Sequence, residues 1–169
     1  PAILRGVTLI ATVTGSLPMR ALRNQVETRP EDRPSLIVRP DPARVPFAFY
    51  RDTAWNLGRY GEAWWYVSAR DRDDSATSLY NVHDPREVQV EANDDDPVRP
   101  HITWRRLSTR DGTLRRENLR QITLTLDDTG LRGWGPLQWC GAATSVAVEA
   151  QRWAANFYSA GGYPSYLIR

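Results

Sequence analysis

The sequence predicts an α+β fold: an antiparallel, β-hairpin-rich region with flanking helices and a long helix near the carboxyl end. Three observations carry this. Apolar residues near the two ends recur every three or four positions, the helical period, whereas the middle of the chain switches to period two. Clusters of proline, glycine and aspartate cut that middle into short strands joined by turns. The composition, 41% hydrophobic and 25% charged over 169 residues, suits a folded chain with a real core and argues against wholesale disorder.

The elements follow in order. Ile3, Val7, Ile10, Val13 or Thr14, and Leu17 step at helical spacing until Pro18 stops them, although the β-branched content leaves a strand conceivable. Met19, Ala21 and Leu22 alternate as a short strand, and a proline-rich, charged surface connection runs on to Pro46. Pro46 suits the first turn of a helix of about three turns. One side of it carries Phe47, Tyr50 or Arg51, Ala54 and Leu57, and it ends at Gly58 or Gly61.

"AWWYVSAR" then places Ala63, Trp65, Val67 and Ala69 on one face and Trp64, Tyr66, Ser68 and Arg70 on the other. "DRDDSAT" reads as a hairpin tip. "SLYNVHD", "REVQVEA", "HITWRRL" and "ITLTLDD" read as further short strands, with "TRDGT" and "DDTG" as turns. The last of these strands alternates Ile122, Leu124 and Leu126 with threonines, the pattern of a half-buried strand.

In the closing segment Trp139, Ala143, Val146, Ala150, Trp153, Phe157 and Ala160 step four, three, four, three, four, three, which puts them on one helical stripe. Pro136 stands near the start, and Gly161, Gly162 and Pro164 supply the stop. A continuous helix from Pro136 to Ala160 would be about 37 Å long. The opposite face carries Ser145, Glu149, Arg152 and Asn156.

Residues able to do chemistry are few and scattered. The single cysteine, Cys140, excludes an intrachain disulfide framework and reads as a small buried hydrophobe rather than a nucleophile served by His83 or His101. Those histidines belong to a turn and a strand start, and no zinc-ligand spacing surrounds them. "DRDD" and "NDDD" lack the glycine and closing glutamate of a calcium loop. No phosphate-binding glycine loop, nucleophile elbow or HExxH pattern occurs, so neither an enzyme nor a cofactor is expected. "GRYGEA" and "GLRGWG" read as tight connections.

All 22 basic residues are arginine against 20 acidic ones, a net charge of +2 and a pI near 9.0. Arginine forks suit phosphates and carboxylates alike. Six of them, Arg105, Arg106, Arg110, Arg115, Arg116 and Arg120, gather in one stretch beside Trp104. That stretch fits either a DNA-facing basic patch or pairing with acids on a neighbouring subunit. The apolar start is interrupted by Arg5 and Gly6 and is too short for a membrane span. Because the first residue is proline, the chain reads as a piece of something longer.

Two motifs point to one family. "DTAWNLGRYGEAWWYVSARD" followed by "SLYNVHDPREVQV" resembles the wing region of portal proteins of tailed bacteriophages. "GLRGWGPLQWCGAATSVAVEAQRWAANFYSAGGYPSYLI" is similar to that family's glycine, proline-leucine, alanine-rich helix, aromatic and G-x-x-P succession, and "GSLPMRAL" fits too. The ordered set covers most of the chain. "ITLTL" lacks the histidine that many relatives carry there.

The resemblance implies a wing-like α+β domain over residues 1–133 and a stem-type helix with a following strand over 134–169, stopping before the clip and crown. It implies a structural, non-enzymatic subunit of a homo-oligomeric ring, typically of twelve copies, at the portal vertex of the capsid in the virion, assembled in the host cytoplasm. Through such a ring double-stranded DNA enters during packaging and leaves at ejection. The implied partners are the major capsid protein, the terminase large subunit and head-tail adaptors, with no membrane. Trp139, Ala143, Val146, Ala150, Trp153 and Phe157 would then pack subunits together, with Gly141, Ala142, Ala143, Ala147 and Ala150 allowing close approach. Ser145, Glu149, Arg152 and Asn156 would face the channel. The competing expectation is a stand-alone nucleic-acid-binding α+β module that uses the arginine-rich hairpin.

Overall fold

A computed structural model describes residues 2–96, 100–104 and 118–161. It is a mixed fold of helices and open antiparallel sheets. The chain divides into two compact units, Pro1–Pro136 and Leu137–Arg169.

The first unit opens with helix α1, Ala2–Ser16. Its buried residues are Ala11 and Gly15, whereas Ile3, Ile10, Val13 and Leu17 of the expected stripe are exposed. The reason is close helix packing. α1 lies against helix α3, Pro46–Tyr60, and a Cβ at Gly15 would stand 2.9 Å from Arg51 Cβ and from the Phe47 carbonyl oxygen. Such an approach selects small residues at the seam and turns the large apolar ones outward.

Between these helices, strands β1, Leu22–Arg23, and β2, Val26–Glu27, form a minimal hairpin. Asn24 and Gln25 take φ of 53° and 65°, the left-handed pair that a tight two-residue turn requires. The long connection beyond it carries a 3-10 turn, Pro30–Asp32, and a one-turn helix α2, Ser35–Val38.

α3 starts with Pro46 and is capped by Gly61 at φ 74°. Its buried face is Phe49, Thr53 and Asn56, not the side carrying Phe47, Ala54 and Leu57. Hydrogen bonding explains the polar choice. Thr53 Oγ1 donates to the Phe49 carbonyl and accepts from Trp65 Nε1 and Asn81 Nδ2, and Asn56 Nδ2 donates to the Val82 carbonyl. Every one of these bonds ties the helix to itself or to the sheet beneath, so the polar atoms are buried with partners.

That sheet has the order β4–β3–β7, with β3 Glu62–Arg70 in the centre, β4 Ala76–Asn81 and β7 Leu119–Thr123. Both pairings are antiparallel, with Tyr66 opposite Tyr80 on one side and Leu119 on the other. The alternation in "AWWYVSAR" sorts two cores. Val67 joins Phe49 and Leu79, with Trp65 against them, on the α3 side. Trp64 joins Val82, Val88, Trp104 and Leu119, with Tyr66 and Tyr80 alongside. The second core is roofed by a ribbon of β5, Val88–Glu91, and β6, His101–Trp104. Trp104 stacks on Tyr80 at 5.9 Å between ring centroids.

β7 begins and ends earlier than its threonine alternation suggests. Leu124 and Leu126 lie beyond it and are exposed, because the Leu124 N–H donates to the Gly61 carbonyl and Leu126 bridges Gly133. This brings the two glycine-rich stretches together. A Cβ at Gly61 would collide with the backbone of Trp134 and Gly135, and one at Gly133 would stand 2.5 Å from the Gly61 carbonyl oxygen. Only glycines permit the chain leaving the sheet to cross the end of α3 so closely.

One buried ion pair locks the same corner, and an exposed local pair follows β4. Glu62, 2% exposed, pairs with the Arg132 guanidinium and accepts hydrogen bonds from Gln121 Nε2 at 2.9 Å and the Gly133 N–H at 2.8 Å. Arg132 also donates to the carbonyls of Val88 and Pro85. Asp84 accepts from the Arg86 side chain and backbone N–H. The Arg86 hydrogen bond holds the Asp84 carboxyl below the ordinary aspartate range.

The second unit holds a helix that is broken rather than continuous. A short helix α4, Pro136–Trp139, precedes α5, Gly141–Ser159. The break is Cys140, at φ −90° and ψ 13°, so α5 is about 28 Å long. Cys140 is exposed, which corrects the expectation of a buried thiol. Thr144 nevertheless donates its N–H to the Cys140 carbonyl at 2.8 Å.

Candidate assembly surfaces

α5 forms because alanine dominates its sequence and no proline or internal glycine interrupts it after Gly141. Its helical period sets Ala143, Val146, Ala150, Trp153 and Phe157 on one side. Among the described residues of its own unit nothing covers that stripe. Val146 is 70% exposed and Trp153 68% exposed, Ala143 and Ala150 are exposed, and Phe157 is half-buried. Trp139, on α4, is half exposed and lies beyond the break at Cys140.

The two large rings of the stripe are organised. Trp153 and Phe157 stack with centroids 5.5 Å apart and planes 11° off parallel, and Tyr158 meets Phe157 edge-on at 5.7 Å. The result is an aromatic cluster on the same helix side as Ala143 and Ala150. A helix with a large bare apolar face needs a second surface in water.

Ser145, Glu149, Arg152 and Asn156 are all exposed. At about 100° per residue they lie about 110° round from the stripe, a flank rather than its opposite face. Arg152 reaches Glu149 at 3.4 Å, one turn away, so the flank carries an opposed pair of charges. Thr144 and Val148 sit across from the stripe instead.

Of the six arginines of the basic stretch, Arg120 lies on β7, exposed, opposite Trp65 of β3. Arg105, Arg106, Arg110, Arg115 and Arg116 lie outside the described residues, as does the "TRDGT" turn. The histidines stand apart, His83 after β4 and His101 at the start of β6, both exposed. Among the described residues no group of three His, Cys, Asp or Glu side chains could hold a metal. No described helix is long and apolar enough to cross a membrane.

A further surface escaped the sequence reading. α1 and α3 border a cavity of about 540 Å³ lined by Thr8, Ala11, Arg44, Arg51, Trp55 and Arg59. Phe47, Arg51, Trp55 and Arg59 follow one another at four-residue steps along α3, alternating ring and guanidinium. Arg51 lies over the Phe47 ring at 5.6 Å and Arg59 over the Trp55 ring at 5.8 Å. The four-residue period was legible in the sequence; the helix opposite it, which makes a groove of it, was not.

Comparison with known proteins now adds to this geometry. The family described as phage portal protein matches residues 1–169. No curated protein matches the chain. A crystal structure of an HK97 family phage portal protein from Corynebacterium diphtheriae is similar over the whole chain, with a TM-score of 0.65 and 18% identity. A chain from the neck of an empty GTA particle, computed with C6 symmetry, is similar with a TM-score of 0.64 and 14% identity. This chain spans 49% and 44% of those two chains, less than half of each. With the family matched from the first residue to the last, the chain belongs to the phage portal protein family.

Proposed function

We propose that this chain is the wing-like domain, residues 1–133, and the stem-type segment, residues 134–169, of a ring-forming portal subunit. The ring sits at one capsid vertex, passes double-stranded DNA inward during packaging and outward at ejection, and docks terminase and head-tail adaptors on its exposed end. It performs no bond chemistry of its own. Family membership supports this reading, and so does similarity to a portal and to a neck chain treated with six-fold symmetry.

The single observation that carries it is the bare stripe on α5. Val146 and Trp153 keep about two-thirds of their surface in water, and the alanines between them let another backbone come close. In a ring, that stripe meets a different patch on the next copy, and the contact closes when the rotation per copy divides the circle. The outer apolar face of α1, with Leu9 and Ile10 about equally exposed, is a second surface that assembly would cover.

The flank of Ser145, Glu149, Arg152 and Asn156 faces the channel in this reading. Its opposed charges suit passage, because a row of arginines would hold phosphates and make transit salt-sensitive. Glu149→Lys adds a cation to every copy, so packaging by rings carrying it is expected to slow several-fold and to become dependent on salt. Arg152→Glu is expected to lower the salt dependence. DNA packaged per particle, measured with ring number unchanged, checks both; unchanged transit in both variants counts against a channel-facing flank. The arginine-rich hairpin lies mostly outside the described residues, so no observation favours the nucleic-acid module.

A further inference from the structure

The groove between α1 and α3 has a chemistry that the portal reading does not use. Arg44, Arg51 and Arg59 line it together with one carboxylate, Asp52. Arg44 donates to Asp52 Oδ2 at 2.7 Å and Arg51 to Asp52 Oδ1 at 2.8 Å. Asp52 thus fixes two of the forks in place, and the groove keeps a surplus of positive charge. Arg59 is exposed, with its guanidinium carbon 5.8 Å from the Trp55 ring centroid and 5.0 Å from that of Tyr60. Contact of this kind holds a guanidinium in position while leaving its edge N–H groups free to donate.

The same chain carries an acidic knob. At the β3–β4 tip, residues 71–75 are all exposed and bear Asp71, Asp73 and Asp74 against one arginine, Arg72. The tip is built rather than loose. Asp71 donates its N–H to the Ser75 carbonyl, Asp74 donates its N–H to the Asp71 carbonyl, and Arg70 donates to the Asp74 carbonyl at 2.8 Å. Asp74 holds a φ of 59°. Asp73 is left as the outward carboxylate, and among the described residues nothing ties it down.

We propose that the arginine groove of one copy receives the acidic β3–β4 tip of the next copy, with Arg59 and Arg51 gripping Asp73. This contact rests on the ring reading and deepens it, since a ring contact joins two different patches on identical chains. The groove and the knob carry opposite surplus charge on the same molecule, which fixes both partner and orientation. One feature favours a protein partner over DNA. On α1, Leu4 stands one turn before the groove-lining Thr8 and is 56% exposed, an apolar neighbour suited to a protein interface.

The test is a charge swap in the intact protein. Arg59→Glu alone and Asp73→Arg alone are each expected to raise the concentration needed for ring assembly at least tenfold, with circular dichroism unchanged. The double variant is expected to return within about threefold of wild type, because the pair is restored in reverse. Sedimentation reads assembly, and duplex DNA binding is measured in parallel. Wild-type protein that stays monomeric overturns the ring reading and this contact with it. Rings that form equally well in Arg59→Glu overturn the contact alone, and if that variant loses only duplex DNA binding the groove belongs to DNA. A double variant as impaired as the sum of its parts overturns the pairing of Arg59 with Asp73.

Discussion

Replacing Arg132 with methionine is expected to destabilise the Pro1–Pro136 unit by about 3–5 kcal/mol. The mutation strands Glu62, which is 2% exposed, without its only ionic partner among the described residues. It also removes the donor to the Val88 and Pro85 carbonyls, which holds the β5–β6 ribbon to the sheet. Glu62→Gln is expected to cost less, about 1–2 kcal/mol. The glutamine oxygen can still accept from Gln121 and Gly133, and Arg132, with 30% of its side chain exposed, can turn to water. Denaturant unfolding followed by tryptophan fluorescence checks the order. Equal, small losses in the two variants would mean that the buried pair does not hold this corner.

Trp153→Ala is expected to act on assembly and to spare the fold. Trp153 is 68% exposed, so its removal should change the unfolding free energy of the single chain by less than about 0.5 kcal/mol. In a ring its burial against a neighbour is worth about 1.5–3 kcal/mol at each contact, or roughly a ten- to hundredfold weaker association per interface. Sedimentation and denaturation measured on the same variant separate the two effects. A fall in monomer stability with ring formation intact would place Trp153 in its own chain's interior.

Much of this was legible because local rules and tertiary contacts agree in the middle of the chain. The alternation in "AWWYVSAR" sorted Trp64 from Val67 before any fold was known, and each now lies in a different core. Pro46 and Gly61 bounded α3 for reasons internal to the helix.

Where the sequence misled, the deciding contact was distant in the chain. Ile3, Ile10, Val13 and Leu17 of α1 step at helical spacing, yet Gly15 lets α3 approach so closely that the small-residue side is the buried one. Apolar periodicity marks faces that become covered; it does not say whether the cover is the same chain. α5 shows the same ambiguity, since its stripe is as regular as a core helix, yet Val146 and Trp153 stay exposed among the described residues. Glu62 and Arg132 lie 70 positions apart and look like two surface charges in the sequence. Their pairing depends on Gly61, Gly133 and Gly135 bringing the two loops together. The break at Cys140 had no proline or glycine at its own position to announce it.

The central claim is that the α5 stripe is contact surface between identical copies around an open axis. An electron-microscopy reconstruction of the intact assembled protein tests it most directly. The account predicts a closed ring in which Val146, Trp153 and Phe157 are buried against the neighbouring copy. A particle in which those three side chains are covered by their own chain, or remain in solvent with no sister copy beside them, would contradict it.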